Sequence, residues 1–514
     1  MKIALTTNEI LIPKRFFTPK SEKELELDAP LPDHCPDIAR IIKLDCTPFC
    51  ERCEINDGSA SARGRAVCDV LYEAEGKSGL RFVSFTQDFN ISCPIPRGKA
   101  QSYDAVCKIS CEKINCRLLS PRRLIIKATL GGAFECIAET AVKALAVNED
   151  GDAFFCKKTI AFEGKPSRYS ETVRISETLP LAQSEKSIGS IVCADVLISP
   201  PRITVNRGNA EIRATATVKA LCEEESAEGR YFTSAKQLPI VFELANDAIE
   251  EFKQISATLA ITEKEFAPEL DQYGESRSIQ ARIALLATLN ISEPKAYTVA
   301  EDMFEKSHDS TPSLSKILFP HTVCSKEIGF SAETKLPPEE EKAISLLDST
   351  ARDYGATATK AENGVEISGS FIVTLLTECA EGIQSRDYLL PYSQFIEADL
   401  PSGESILMPE VYPIEVIPTL HADGSITVRV IAEAKVCAHG EREEEFITDI
   451  PKRTEREKVE SGAMLVYCFP QKRESLWSIA KLYRVSPEEI RNANPDSFDD
   501  SGISASESPI LIKP

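Results

Sequence analysis

Three segments of the chain open with the same element, Leu31-Pro32, Leu179-Pro180 and Leu336-Pro337, at spacings of 148 and 157 residues. Self-similarity at such a period means that one folding unit is used three times, so the fold must divide into three like blocks. Each Leu-Pro is followed by a short apolar pattern with helical spacing: Asp37-Ile38-Ala39-Arg40-Ile41-Ile42, then residues 187–192, then residues 343–347. A strand with period-2 alternation comes next, at 63–72, 212–221 and 365–376. A second strand lies at 82–85, 238–242 and 389–392. A later β pair completes each copy: 106–109 with 124–128, 255–261 with 279–289, and 411–418 with 426–430. β-Branched and aromatic residues at alternate positions, bounded by Gly, Pro, Asn and Ser, are the pattern of half-buried antiparallel strands. The expectation is a mainly β chain of three tandem β-sandwich-like repeats, over 1–160, 161–312 and 313–450.

The composition then changes. Residues 441–461 hold eight acids and five bases with few apolar positions. Such a stretch reads as a solvated charged segment or charged helix, with a linker placed at 451–461. Residues 462–514 form a small α+β module. Residues 464–469 alternate as a strand, and Ser475 starts a helix through Leu476-Trp477-Ser478-Ile479-Ala480-Lys481-Leu482-Tyr483. Ser486 is the cap of a second helix, with Pro487 at its first position and Glu488-Glu489 at the positive end of its dipole. Asn492-Ala493-Asn494-Pro495 ends that helix, and 509–513 supply a closing strand.

Lys and Arg total 59 against 80 Asp and Glu, a formal net charge of −21. A surface this acidic repels phosphates, which argues against nucleic acid or an anionic bilayer as partner. The charge is skewed along the chain. Residues 1–165 carry 24 bases and 23 acids (+1), and the remainder carry 35 and 57 (−22). The same first third holds eleven of the seventeen cysteines. No run of about 18 apolar residues is present, and Met1-Lys2-Ile3-Ala4-Leu5 passes into Thr6-Thr7-Asn8-Glu9 without an apolar secretory core. A cytoplasmic chain with reduced thiols is expected.

The tail resembles a LysM module at Val466-Tyr467, 475–480, 483–486, Glu489-Ile490 and 492–495, which implies a strand–helix–helix–strand (βααβ) fold. Arg473-Glu474 stand where such modules have Gly-Asp, and an acidic, serine-rich loop at 496–508 replaces a Pro-Gly turn. Both loops flank the groove in which LysM modules hold N-acetylglucosamine chains. The upstream segments resemble the SPOCS domain of clostridial spore-coat proteins, best in the first copy, at Pro36-Asp37-Ile38-Ala39-Arg40-Ile41 and in the strand from Gly64 to Tyr72. In the second copy Ala214 replaces the glycine and Leu221-Cys222 replaces Leu-Tyr. SPOCS repeats followed by a LysM module is the arrangement of a family of spore coat morphogenetic proteins. That resemblance implies a protein of the mother-cell cytoplasm that localises to the forespore surface and spore coat. There it would tether coat proteins to the coat base-layer scaffold ATPase (SpoIVA-type). Its LysM groove would make the contact, through Arg473, Glu474, Ser475, Arg484, Arg491 and Asn494, with Trp477 as module core. The rival expectation is a binder of peptidoglycan, the N-acetylglucosamine polymer of cell wall or cortex.

Catalytic constellations are absent from the sequence, so no enzyme and no cofactor is expected. Gly76-Lys77-Ser78 resembles the end of a phosphate loop, but Leu71 occupies the place of the first glycine, and an exposed hairpin turn is expected there. There is no His-Glu-x-x-His and no Gly-x-Ser-x-Gly, and the five histidines are scattered. Cysteine is the one chemical surprise. Cys46, Cys50 and Cys53, with His34 or Cys35, have spacings that thiolate zinc sites use, as do Cys107, Cys111 and Cys116. The favoured reading is that cysteine serves as a small apolar strand residue, and no metal is expected. Exposed thiols that cross-link under oxidising conditions are a third possibility.

Overall fold

In the computed structural model the described residues are 7–513, apart from 57, 77–78, 97–99, 148–151, 207, 228, 272, 339–341, 401–404, 457–464, 472–473, 500–501 and 504–508. Among them the chain is mainly β, with two short helices near its end. The Lys77-Ser78 pair of the phosphate-loop-like motif lies outside the described residues.

The first unit contains β1 (Thr7–Phe17), β2 (Ser21–Pro30), β3 (Ile38–Asn56), β4 (Ser59–Ala74), β5 (Leu80–Pro94), β6 (Ser102–Ser120) and β7 (Arg123–Leu145). Strands β3, β4 and β5 make one antiparallel sheet. In the other, β7 is central, with β6 along one edge and β2 then β1 end to end along the other. The sheets bury a common core that includes Leu25, Val70, Tyr72, Phe89, Leu124, Ile126 and Phe134.

The second unit follows the same plan with β8 (Ala153–Glu163), β9 (Ser167–Pro180), β10 (Ile188–Ile198), β11 (Arg202–Asn206), β12 (Asn209–Glu224), β13 (Tyr231–Ala245), β14 (Gln254–Leu270), β15 (Ser276–Ser292) and β16 (Pro294–Glu305). Here β9-β15-β14 faces a sheet centred on β12. The third comprises β17 (His308–Leu336), β18 (Ser345–Ala361), β19 (Gly364–Cys379), β20 (Gly382–Glu397), β21 (Ser405–Leu420) and β22 (Ile426–Glu455). Its sheets are β17-β22-β21 and β18-β19-β20, with Val365, Phe371, Tyr392, Val428 and Val430 between them.

Each unit also extends a two-stranded ribbon from its sandwich: β1 with the end of β7, β8 with β16, and the start of β17 with the end of β22. The three ribbons meet on Ile10, Ile12, Ile160, Phe162, Val299, Phe319 and Phe446. At a second meeting point Leu71, Leu221 and Leu376, one from the same strand position of each unit, share a cluster with Leu80 and Leu347. Ion pairs run around this point from unit to unit: Lys43–Asp195 at 3.6 Å, Lys219–Asp348 at 3.2 Å and Arg352–Asp45 at 3.8 Å.

Two expectations are corrected. The segments read as helical, Asp37–Ile42 and its counterparts, are the opening residues of β3, β10 and β18. Register shifts at Ile38/Arg40 and Ile41/Lys43, repeated at Ile188/Ser190 and Ile191/Cys193, put two bulges within a few residues. Bulges add a residue each and stretch the period of 2 toward 3. Ile38 and Ile41 therefore face their own core while Ile42 faces the inter-unit cluster, as do Ile188, Ile191 and Val192. The charged segment 441–461 is not a solvated linker along most of its length: 441–455 complete β22. There Phe446 and Ile447 are fully buried, and Glu444 pairs with Lys158 of β8.

The first-copy glycine also acquires a reason. β3 bulges at Cys50/Arg52 directly opposite Gly64, and a Cβ on Gly64 would collide with the carbonyl oxygen of Phe49 and crowd the Phe89 ring. In the second unit the edge strand is broken between β10 and β11 at this place, which leaves room for Ala214. Gly64→Ala is expected to destabilise the first unit by about 1–3 kcal/mol or more, measured by urea denaturation, whereas Ala214→Gly should cost about 0.5–1 kcal/mol, the ordinary strand penalty.

Candidate functional site

The C-terminal module is a strand, two helices and a strand: β23 (Val466–Cys468), α1 (Leu476–Tyr483), α2 (Pro487–Ala493) and β24 (Ile510–Ile512), with Val466 opposite Ile512 in an antiparallel pair. Ser475 caps α1, its Oγ accepting the Ser478 N–H at 3.1 Å. Leu476, Ile479 and Ala480, at helical i, i+3, i+4 spacing, bury against Cys468, Val485, Ile490, Ile510 and Ile512. Ser486 precedes α2 but makes no side-chain capping bond, and Pro487 opens the helix.

A second face of α1 grips the end of β16. Trp477 Nε1 donates to Asp302 at 2.8 Å, and Lys481, one turn on, bonds both oxygens of the same carboxylate at 2.6 and 2.7 Å. A register shift between Ala300 and Asp302 sets this carboxylate at a bulge in the ribbon. The Trp477 ring lies 5.2 Å from that of Phe304, which stacks on Phe154 at 5.1 Å. Arg484 ends α1 in the left-handed conformation, φ 56°. Its guanidinium donates to the Glu305 carbonyl at 2.8 Å and to Asp309 at 3.0 Å, contacts that offset the local strain. Burial works against ionisation of Asp302, but its bonds from Lys481 and Trp477 outweigh that and hold its carboxyl below the usual carboxylate range.

The predicted contacts divide. Arg473 lies outside the described residues. Glu474 accepts the Gln471 N–H at 2.8 Å, Ser475 is the helix cap, and the Arg491 carbonyl accepts from Asn494 N–H. Ser475 and Leu476 are joined to the 498–503 loop, through a bridge to Ile503 and a 2.7 Å bond to Gly502, so the two loops flanking the expected groove are tied together. Arg484 is engaged with the chain's own β16–β17 junction, and Asn494 is buried. The Asn494 side chain bonds the carbonyls of Ile490 and Leu511 and accepts the Leu511 N–H, each at 2.8 Å, which pins β24 to α2. Trp477 packs on the module's apolar cluster together with Phe304, a partner 173 residues away that no local pattern announces.

Beneath the module Asp152, Glu305 and His308 converge, a grouping with metal-ligand geometry among the described residues. Glu305 is fully buried, however, and both Arg453 nitrogens, at 2.9 and 2.6 Å, already neutralise it. This is an ion-paired knot rather than an open cation site. The zinc spacings do not produce a comparable grouping among the described residues, and of the seventeen cysteines eight are buried and nine are partly buried. A cavity of about 410 Å³ beside the inter-unit cluster is lined by Lys43, Asp195, Lys219 and Arg352, charges that already pair across units. Among the described residues no helix is long and apolar enough to cross a membrane.

Residues 37–119, which span β3 to β6 of the first unit, match the family described as SipL, SPOCS domain. That match supports a SipL-type, sporulation- and spore-coat-related class of protein. Neither the curated proteins nor the solved structures contain a match.

Trp477 is the sole tryptophan, so its fluorescence reports this contact directly. Asp302→Ala should shift its emission to longer wavelength. Because the Asp302 pKa is lowered on docking, the contact contributes fully above the ordinary carboxylate pKa and is lost as pH falls through the bound value. An acid titration should therefore show the red shift in the wild type near and below that range, and an unchanged spectrum in Asp302→Ala. Asn494→Ala, which leaves three backbone groups unpaired, should destabilise the module by roughly 1–3 kcal/mol per unsatisfied buried group at most, read from Trp477 emission in denaturant.

Proposed function

We propose that the chain is a non-enzymatic spore coat morphogenesis scaffold. In this reading the three units are tandem copies of the SPOCS domain, and the tail is a LysM module that binds a protein, the coat base-layer scaffold ATPase (SpoIVA-type). The observation that carries the reading is the match of residues 37–119 to the SPOCS domain. The recurrence of the same two-sheet plan in the second and third units supports tandem copies. The strand–helix–helix–strand order of the tail, with Ser475 capping α1, supports the LysM assignment.

The work of such a scaffold is positional. Three sandwiches fixed around shared clusters, with a module seated on one ribbon, present several surfaces in a constant arrangement. Against a layer displaying many copies of one partner, weak contacts at several surfaces raise the overall avidity about 10²–10⁴-fold. Since Trp477, Lys481 and Arg484 face the chain itself, the partner surface in this reading is the side bearing Glu474, Ser475 and Arg491. The chain would act in the mother-cell cytoplasm, at the forespore surface.

The test sets the full-length chain against the purified base-layer ATPase and against purified peptidoglycan in parallel. Retention by the ATPase, weakened about tenfold or more in an Arg473→Gly, Glu474→Asp double variant, is the expected result. Retention by peptidoglycan alone would replace this reading with the glycan-binding one.

A further inference from the structure

Where the three ribbons pass into their sandwiches, the units border a cavity of about 870 Å³ to which neither the fold nor the tether reading gives a task. Each unit contributes one proline to it: Pro13 in β1, Pro166 between β8 and β9, and Pro320 in β17. Their spacings of 153 and 154 residues are close to the repeat period, so the same place in each copy meets here. Ile12 and Phe319, which directly precede two of these prolines, belong to the buried cluster that joins the ribbons. Ile137 and Ile406 complete an apolar wall. The cavity is thus made by the arrangement of the three units and by no single one of them.

Its polar side is built from donors. Arg15 on β1, half-buried, gives one nitrogen, Nη1, to Glu135 and makes no other hydrogen bond among the described residues. Most of the five N–H groups of its guanidinium are therefore open. From the third unit, Thr322 on β17 and His439 on β22 stand opposite each other in the ladder, with Thr322 Oγ1 3.3 Å from His439 Nδ1. Burial, joined by the Arg15 charge, brings the His439 imidazole down to about 4, so it is uncharged at neutral pH. With the Thr322 hydroxyl donating to Nδ1, the Nε2 N–H remains as a donor. Lys14 and Lys360 add positive charge to the lining, and Glu163 and Glu441 add negative charge. Three bases against two acids reverse the balance of the chain, 59 against 80, and the charge that acts on His439 is that of Arg15.

We propose that this cavity binds a small organic acid in its ionised form, a carboxylate carried on an apolar body. The carboxylate accepts from the open edge of the Arg15 guanidinium, whose planar fork matches its two oxygens, and from the Nε2 N–H of His439. The apolar body lies against the three prolines, Ile137 and Ile406. A volume of about 870 Å³ falls within the range of about 300–1,000 Å³ of small-molecule sites, which join mostly apolar walls to a few placed polar groups. An inorganic anion would leave the apolar wall unused, and a cation would meet Arg15. Because all three units touch the ligand, it binds the assembled chain and not the separated units, so occupancy stabilises their arrangement by mass action.

The test uses the unmodified full chain and para-benzoylbenzoate, a carboxylate on a benzophenone body that cross-links to nearby C–H bonds when irradiated. The expected result is labelling that saturates at about 1 mM or below, mapped by mass spectrometry to peptides carrying Pro13, Ile137, Pro320 or Ile406. Benzoate should compete for it. Benzamide and benzylamine, which share the ring but lack the negative charge, should not. Arg15→Gln should weaken competition by benzoate about tenfold or more, whereas Glu163→Gln should leave it equal or stronger. Labelling that does not saturate, that maps outside the cavity, or that benzamide or benzylamine displaces as well as benzoate does would overturn the proposal. So would a folded Arg15→Gln chain that binds benzoate as the unmodified chain does. The mapping needs no variant, so a substitution that fails to fold removes no part of it.

Discussion

The three units are held in one arrangement by what happens where Leu71, Leu221 and Leu376 meet. Each leucine is nearly fully buried, and each comes from the central strand of one sheet of its unit. Apolar contact alone would let like units slide or exchange places. The ring Lys43–Asp195, Lys219–Asp348 and Arg352–Asp45 removes that freedom, because each pair joins a different combination of units. Burial disfavours charge on Lys43 and on Asp195, yet the facing charges outweigh it: Lys43 is raised and Asp195 lowered, so both remain ionised through neutral pH. Buried pairs of this kind add little net stability over apolar contacts, but losing one partner strands the other. Their effect is therefore on which unit sits beside which.

This ring explains the divergence among the copies. The position of Lys43 in the first unit is Cys193 in the second and Asp348 in the third, judged by the leucine each faces across the ladder. Identical residues there would place like charges together. A closed arrangement of three units in one chain requires the copies to differ at their seams, and the loss of glycine at Ala214 belongs with a similar local change, a broken edge strand that no longer needs it.

The strands that form the sandwiches were legible because their burial alternates, as in β4 and β19, and the order of those strands recurred. The ribbons were not legible. Residues 441–455 contain Phe446 and Ile447 as adjacent buried residues amid charges, and adjacent apolar residues are no strand signal. The bulged openings of β3 and β10 were legible as apolar but misread in type, since two extra residues imitate a helical period. In the module, caps and helix starts were readable from Ser475 and Pro487, which act locally. The roles of Asn494 and Arg484 were not, because a buried amide and an exposed one have the same sequence, and the partners of Arg484 lie 175 and more residues upstream.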